Sequence, residues 1–370
     1  MTITEQDIEA EVGAFAGRVA GAAIGALELM CVHLGDRLGL YEALATGPAT
    51  APELAERTGI DARYAREWLE QQATAGFLAV DADPVDGDPD NRVFRLPIAA
   101  QVCLLDPDSL AAMAPLAQLV VEAPESFDAV VEAYRTGGGV SFGEYGDGVR
   151  AFQAAANRPQ YVNLLASQWL PSMPDVVARL EGGARVADVG CGVGWSSIAL
   201  ARAFEAVTID GFDLDEASIA DARSLAISEG LSDRVHFQVR NAADAAPGSY
   251  DVVCCFESLH DMARPVEALS AMRSMLAPGG TVFIADERAE PFLPDNPDPI
   301  QHLLYAASVL HCLPVGRSEA PSAATGTVMQ TATLERYARD AGFDNVDVLP
   351  IEHDMFRFYR LRSSRSDGQR

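Results

Sequence analysis

Apolar positions along the 370-residue chain change their period partway through. Between Gly25 and Ala45, Leu27, Met30, Leu34, Leu38 and Tyr41 recur three or four residues apart, which predicts a helix stopped at Gly47-Pro48. Thr50 with Glu53 three residues on is a capping box that opens a second helix, "APELAERTG", and Asp61 opens a third, "DARYAREWLEQQATAGF". "LAVDADPVDGDPDNRVFRL" then reads as strand, acidic turn, strand. Three helices and a hairpin are a winged-helix layout, expected over residues 1–100 as a mainly α domain. Residues 101–180 read as a helical linker around "TGGGVSFGEYGDG", which lacks the Lys and following Ser or Thr of a phosphate loop and is expected to be a flexible connection.

From Arg185 the period shortens. The apolar runs "RVADV", "VTIDGFD", "VHFQV", "YDVVCCF" and "GTVFIAD" alternate with helices starting at Trp195, Asp215 and Pro265. Such alternation predicts an α/β fold, a Rossmann-like, doubly wound and mostly parallel sheet. "VDVLPIE" and "MFRFYRLR" add a C-terminal antiparallel hairpin, seven strands in all, within a domain spanning 181–362; the tail 363–370, "SSRSDGQR", is expected to be disordered.

Charge narrows the possible partners. The formal charge is -27, every basic residue is arginine, and residues 1–100 hold seven arginines against seventeen acids. A groove-reading helix needs a basic face, so this winged helix is expected to serve dimer contacts and to lid a site, with no nucleic acid as partner. Asp81, Asp83, Asp86, Asp88 and Asp90 fit no EF-hand spacing and are interrupted by Pro84 and Pro89, so a solvated wing tip is expected there. No membrane-length apolar run is expected, and the acidic start "MTITEQDIEAEV" is no secretory signal. Cysteines 31, 103, 191, 254, 255 and 312 have no paired spacing, which predicts reduced thiols in a cytoplasmic protein, and Cys254 and Cys255 should point to opposite faces of a strand.

The turn "VADVGCGVGWSSIAL" joins the first strand of the second domain to a helix, the place where such sheets bind ligands. Its glycines, Gly190, Gly192 and Gly194, are spaced G-x-G-x-G, and Trp195 stands where a dinucleotide loop has its third glycine. Asp213, nineteen residues after Gly194, can accept from both ribose hydroxyls. Asp188 beside the loop repels pyrophosphate and attracts the ammonium and sulfonium of S-adenosylmethionine. Asn241, after the third strand of this domain, offers an amide to adenine.

Together "VADVGCGVGWSS", "GFDLD", "RVHFQVRNAAD", "YDVVCCFESLHDMARP", "LAPGGTVFIADE" and "LERYARDAGF" resemble class I S-adenosylmethionine-dependent methyltransferases with an N-terminal winged helix, over almost the whole chain. The likeness is greatest to actinobacterial members carrying "LHDM" and a final "PIEHDMFRFYRL". It implies that Asp188, Gly190, Gly192 and Gly194 hold the methionine end of S-adenosylmethionine and Asp213 its ribose. Cys191, Leu214, Ala242 and Phe256 complete the expected cofactor set. Many relatives have Asp where this chain has Asn241.

The same resemblance places His260 where small-molecule O-methyltransferases keep a general-base histidine, with Asp286 as the carboxylate that orients it. Imidazole suits the task because its ordinary pKa of about 6.5 leaves it ready to take a proton. Adjacent side chains are expected to point apart, which sets Asp261 aside, and this chain lacks the tryptophan that follows H-D in plant-type enzymes. The expected activity is methyl transfer to a small, hydroxylated aromatic acceptor of secondary metabolism by a homodimer. Two alternatives stand beside it: an iron-assisted C-methyltransferase of a 2-keto acid using His260 and His311, and a winged-helix regulator that senses S-adenosylmethionine.

Overall fold

The computed structural model describes residues 4–82, 87–244, 250–290, 293 and 298–363, so Asp83, Pro84, Asp86 and the tail from 364 lie outside the described residues. The chain divides into two compact units, Met1–Pro124 and Glu125–Arg370. The stretch read as a linker is thereby shared between them.

In the first unit α1 (Glu5–Arg37) opens on a capping box between Thr4 and Asp7, far upstream of the helix predicted at Gly25. Gly39, at φ 66°, breaks it before α2 (Leu40–Ala45). The expected capping box then opens α3 (Ala51–Thr58), with the Thr50 amide donating to Glu53 at 2.7 Å, and Asp61 caps α4 (Ala62–Thr74). Strands β1 (Ala79–Ala82) and β2 (Val93–Arg95) pair antiparallel, and α5 (Ile98–Leu104) and α6 (Ala114–Glu122) complete the unit. Trp68 lies so close to Gly35 that a Cβ there would stand 2.4 Å from its ring, which explains a glycine inside a helix.

Arginines on α4 are engaged by acids: Arg63 pairs with Glu67, and Arg66 with Asp90 at 3.0 Å. Asp81 of the acidic turn pairs with Arg95 at 2.9 Å. The periodic residues Leu27, Met30, Leu34 and Leu38 are 40–62% exposed, because α1 meets its own core through Val32 and Gly35 instead. Ile8, Val12, Phe15 and Val19 continue the exposed apolar face upstream. By length and composition α1 could cross a membrane, which corrects the expectation that no run is long enough.

The second unit begins with α7 (Phe127–Thr136), α8 (Gly146–Gln160), a π-helical segment Tyr161–Trp169 and α9 (Pro174–Glu181). The glycine-rich loop before α8 corrects the expectation of a flexible connection. Tyr145 is buried and donates to the Leu310 carbonyl at 2.8 Å, and the Val140 amide donates to Pro314 at 3.0 Å.

Then come β3 (Arg185–Val189), α10 (Trp195–Ala203), β4 (Thr208–Asp213), α11 (Glu216–Ser228), β5 (Val235–Val239), β6 (Tyr250–Phe256), α12 (Pro265–Met275) and β7 (Leu276–Glu287). Helices α13 (Pro299–Ala307), α14 (Leu313–Gly316) and α15 (Thr331–Asp340) precede β8 (Asn345–Val348) and β9 (Phe356–Arg362). The strands form one seven-stranded sheet in the order β5-β4-β3-β6-β7-β9-β8, parallel except where β9 runs against β7 and β8. Cys254 packs into the core on one face of the sheet and Cys255 into the core on the other.

Trp169 is 1% exposed and meets the rings of Tyr161, Phe256 and Phe358 at centroid distances of 6.0, 6.3 and 4.9 Å. It pins the π-helical segment to the sheet. Trp169→Ala should therefore lower the unfolding free energy in urea by about 3–5 kcal/mol, the usual range for emptying such a site; a loss within ~1 kcal/mol would show that this segment is not anchored there.

Candidate active site

Two turns at the carboxyl ends of neighbouring parallel strands build the site. The first follows β3. Gly190, Gly192 and Gly194 all have left-handed φ, at 73, 51 and 88°, which only glycine adopts without strain. The Gly190 and Cys191 amides donate to the Phe212 carbonyl at 2.8 and 3.1 Å, tying the turn to the end of β4. The Gly192 amide donates to Asp213 at 2.8 Å, and the other Asp213 oxygen accepts from the Asp215 amide at 2.9 Å. Gly194 lies against Phe237, 2.5 Å from where a Cβ would stand.

Asp188 is 1% exposed, and one of its oxygens accepts from the hydroxyls of both Ser196 and Ser197 at 2.6 Å. Burial raises the pKa of Asp188 against the pull of those hydroxyls, and burial raises Asp213 too. Two buried carboxylates flanking a helix start, with only hydroxyl and amide partners, suit a cation. Leu214 is exposed beside this turn, and Asn241 uses its side-chain oxygen to cap its own turn, accepting from the Ala243 amide at 2.9 Å. Ala242 packs under the same face of the sheet as Met262, and Phe256 lies in the opposite core, 5.8 Å from the Tyr161 ring.

The second turn follows β6. Glu257 has φ 50°, rare for a side chain other than glycine. Leu259, His260 and Asp261 form a short 3-10 turn that drives the imidazole inward, leaving His260 1% exposed. Strand β7 pairs with β6, and its end brings Asp286 Oδ1 to 2.6 Å from His260 Nδ1 and Glu287 Oε2 to 2.8 Å from the same nitrogen. On the other side Asp261 Oδ1 stands 3.2 Å from His260 Nε2. The expectation that neighbouring side chains point apart fails here because the tight turn folds the Asp261 carboxylate back over the ring.

Burial by itself would lower the His260 pKa, but Glu287, Asp261 and Asp286 together push it well above the ordinary histidine value. Burial is the largest influence on Asp286 and raises it, but the charge and hydrogen bond of His260 together with the hydrogen bonds from Glu287 outweigh it, so its carboxyl sits below the usual range. Burial drives Glu287 far up, and Glu257 is pushed up to about 7. The surrounding acids thus favour the protonated ring of His260, while burial favours the neutral form of Glu287.

His311 packs against Phe142 and Tyr145, and burial lowers its pKa. The donor atoms gathered within 4.8 Å of one another around His260 are those of Asp261 with Cys312 and of Asp286 with Glu287. Among the described residues His311 joins neither group.

A Rossmann-like sheet with an acidic glycine turn and an adjoining turn that buries a histidine defines an enzyme that acts on a nucleoside-type cofactor. Known proteins agree. Residues 180–327 match the "Methyltransferase domain" family and residues 25–104 the "Rv2258c-like winged HTH domain". The ubiquinone biosynthesis O-methyltransferase of Thiobacillus denitrificans is 30% identical over 208 residues, 55% of this chain and 81% of that protein. Its counterpart in Pseudomonas savastanoi is 31% identical over 209 residues, with the same shares covered.

Among solved structures, mitomycin 7-O-methyltransferase MmcR superposes with a TM-score of 0.67 at 22% identity, covering 96% of this chain and all of that one. PigF with SAH gives 0.69 at 16% identity, covering 98% and 100%. The chain belongs to the S-adenosylmethionine-dependent methyltransferases with an N-terminal winged-helix domain.

The two outer glycines of the "GVG" segment of the turn differ in what surrounds them. Gly192 has open space where a Cβ would be, whereas Gly194 meets the Phe237 ring. Gly194→Ala should cost about 1–3 kcal/mol and weaken S-adenosylhomocysteine binding at least about tenfold. Gly192→Ala should do less on both counts, and equal effects in calorimetry and denaturation would refute the packing argument.

Proposed function

We propose that the protein transfers the methyl group of S-adenosylmethionine to a small hydroxylated aromatic acceptor of secondary metabolism, with His260 as the general base. The observation that carries this reading is the buried 2.6 Å contact between His260 and Asp286, one sheet position from the glycine turn. Relatives named as O-methyltransferases favour oxygen as the acceptor atom.

The site fits the cofactor. Asp188 with Gly190, Cys191, Gly192 and Gly194 would hold the methionine end, Asp213 the ribose and Asn241 the adenine edge, with Leu214, Ala242 and Phe256 completing the lining. At Gly192 the space where a Cβ would stand is open, whereas at Gly190 and Gly194 it is closed by Ser258 and Phe237. When bound, S-adenosylmethionine supplies an activated methyl on a sulfonium, so the protein's task is to align the acceptor and remove its proton.

Asp286 accepts from His260 Nδ1–H, which directs Nε2 toward the acceptor and stabilises the imidazolium formed when the proton arrives. Asp261 narrows the approach to Nε2 from the other side. His260 works as a base only after losing its resting proton, so kcat/KM should climb with pH through a value above the usual histidine range. The groups facing it are Glu257 and Asp261 on its own turn, Asp286 and Glu287 on β7, and His311 and Cys312 beyond α13.

Turnover measured with labelled methyl donor should fall about 100-fold or more in His260→Ala, with cofactor affinity nearly intact. In Asp286→Asn the rising limb of the pH profile should move to lower pH, because one of the carboxylates that holds the proton is gone. Unchanged turnover in the first variant, or an unmoved limb in the second, would remove these residues from the mechanism.

The exposed face of α1 supports a homodimer. Ile8, Val12, Phe15, Val19 and Leu27 are each at least half exposed, and Gly13, Gly17, Gly21 and Gly25 leave a smooth track beside them. Such a contiguous apolar surface is characteristic of an interface. Light scattering should report a dimer for the native chain and a monomer for the double variant Phe15→Asp, Val19→Asp; a native monomer would dispose of this assembly.

A further inference from the structure

Glu257 belongs to neither residue set that sequence reasoning picks out. Its position is nonetheless closely specified. Its amide donates to the Ala285 carbonyl at 2.8 Å, which fixes it next to Asp286, and this bond accompanies the left-handed backbone. A non-glycine residue in that conformation persists where surrounding structure over-determines it, commonly at a functional site.

The side chain is half-buried, and its Oε1 accepts from the Tyr161 hydroxyl at 3.2 Å, while Asn157 also hydrogen-bonds it. Tyr161 is the first residue of the π-helical segment. Such segments recur at functional sites. The next residue along, Ser258, packs against Gly190 so closely that a Cβ there would lie 2.4 Å from the Ser258 hydroxyl. Glu257 thus stands between the glycine turn and the His260 cluster.

We infer that Glu257 is a positioning residue joining the cofactor cradle to the base: it faces the cationic cofactor, and loading that charge makes His260 release its proton before the acceptor arrives. The inference rests on the cofactor and base assignments proposed above. The charges support it. The groups that act on His260 by charge or hydrogen bond include Glu257 on its own turn, Cys255, Asp261, Asp286, Glu287, His311 and Cys312.

Tyr161, which bonds Glu257, also feels the charges of Asp188 in the cradle and Glu287 at the base. S-adenosylmethionine carries one more positive charge than S-adenosylhomocysteine. A unit charge at about 4–6 Å moves a neighbouring pKa by roughly 1–3 units. Its sign is clear: an added positive charge disfavours imidazolium and favours carboxylate, so protons leave the His260–Glu257 cluster for solvent. Only an N–H or O–H bond is broken.

The test is calorimetric uptake of each ligand by the full-length protein near neutral pH, in phosphate and in Tris, whose different ionisation enthalpies count the protons exchanged. S-adenosylmethionine should release more protons than S-adenosylhomocysteine. In Glu257→Gln that difference should fall by about half or more, and the rising limb of the kcat/KM profile should move down by roughly one unit, since one carboxyl that favours imidazolium is gone. Equal proton counts for the two ligands in the native protein overturn the inference, and that comparison decides even if the variant is unstable. A Glu257→Gln protein that keeps both the native count difference and the native limb also overturns it. Binding of neither ligand overturns the cofactor assignment itself, and this inference with it.

Discussion

The catalytic region depends on the close approach of two turns, the one after β3 at Gly190 and the one after β6 at Ser258. Strands β3 and β6 are neighbours in the sheet, so their carboxyl ends open side by side. No side chain fits at Gly190 without displacing Ser258, whose hydroxyl reaches the Val189 carbonyl at 3.3 Å. Sheet pairing therefore sets the distance between the glycine turn and the His260 turn, and the glycine lets the two turns touch. The next pairing, β6 with β7, adds the carboxylates in the same way, because Phe256 and Ala285 are register partners immediately before Glu257 and Asp286.

Much of this was legible in the chain. Period-2 apolar runs between helical ones specify the parallel sheet, and the acid-flanked glycines specify a cationic nucleoside ligand at its edge. His260 and Asp286 are picked out by the resemblance to small-molecule O-methyltransferases, and they lie just past β6 and at the end of β7, on the side where such sheets bind. What stayed hidden has tertiary causes. Tyr161 is 96 residues from Glu257, and nothing in "PQYVNLLASQW" announces a π-helical segment. Glu257 sits in a left-handed turn without the glycine that usually signals one. Asp261 was set aside on a rule that holds for regular helices and strands, and the 3-10 turn escapes it.

The N-terminal unit shows the same limit from another side. The periodicity from Leu27 to Leu38 marks a helix, but period alone does not say which apolar face its own core uses. Trp68 decides that by packing against Gly35. The face left exposed continues upstream to Ile8, through a stretch whose glycines obscured its helical character. Glycine inside a helix costs about 1 kcal/mol relative to alanine. Four at intervals of four residues on one exposed helix are a cost that local propensity does not explain.

Electrostatics then decides how the site can work. His260 stands among the carboxylates of Asp261, Asp286 and Glu287, whose charge raises its pKa against desolvation. Were the carboxylates absent, burial would leave a neutral ring and a ready base, but one with nothing to hold its orientation or to stabilise the imidazolium it becomes. With them present, the ring is held at Nδ1 by Asp286 and its protonated form is favoured. Asp286 is the better ionised partner of the two acids at Nδ1, since Glu287 is pushed toward its neutral form by burial beside it. An acidic cradle and an acidic base pocket that share Tyr161 and Glu257 as their boundary are then one electrostatic unit, in which the protonation of either half depends on the charge that occupies the other.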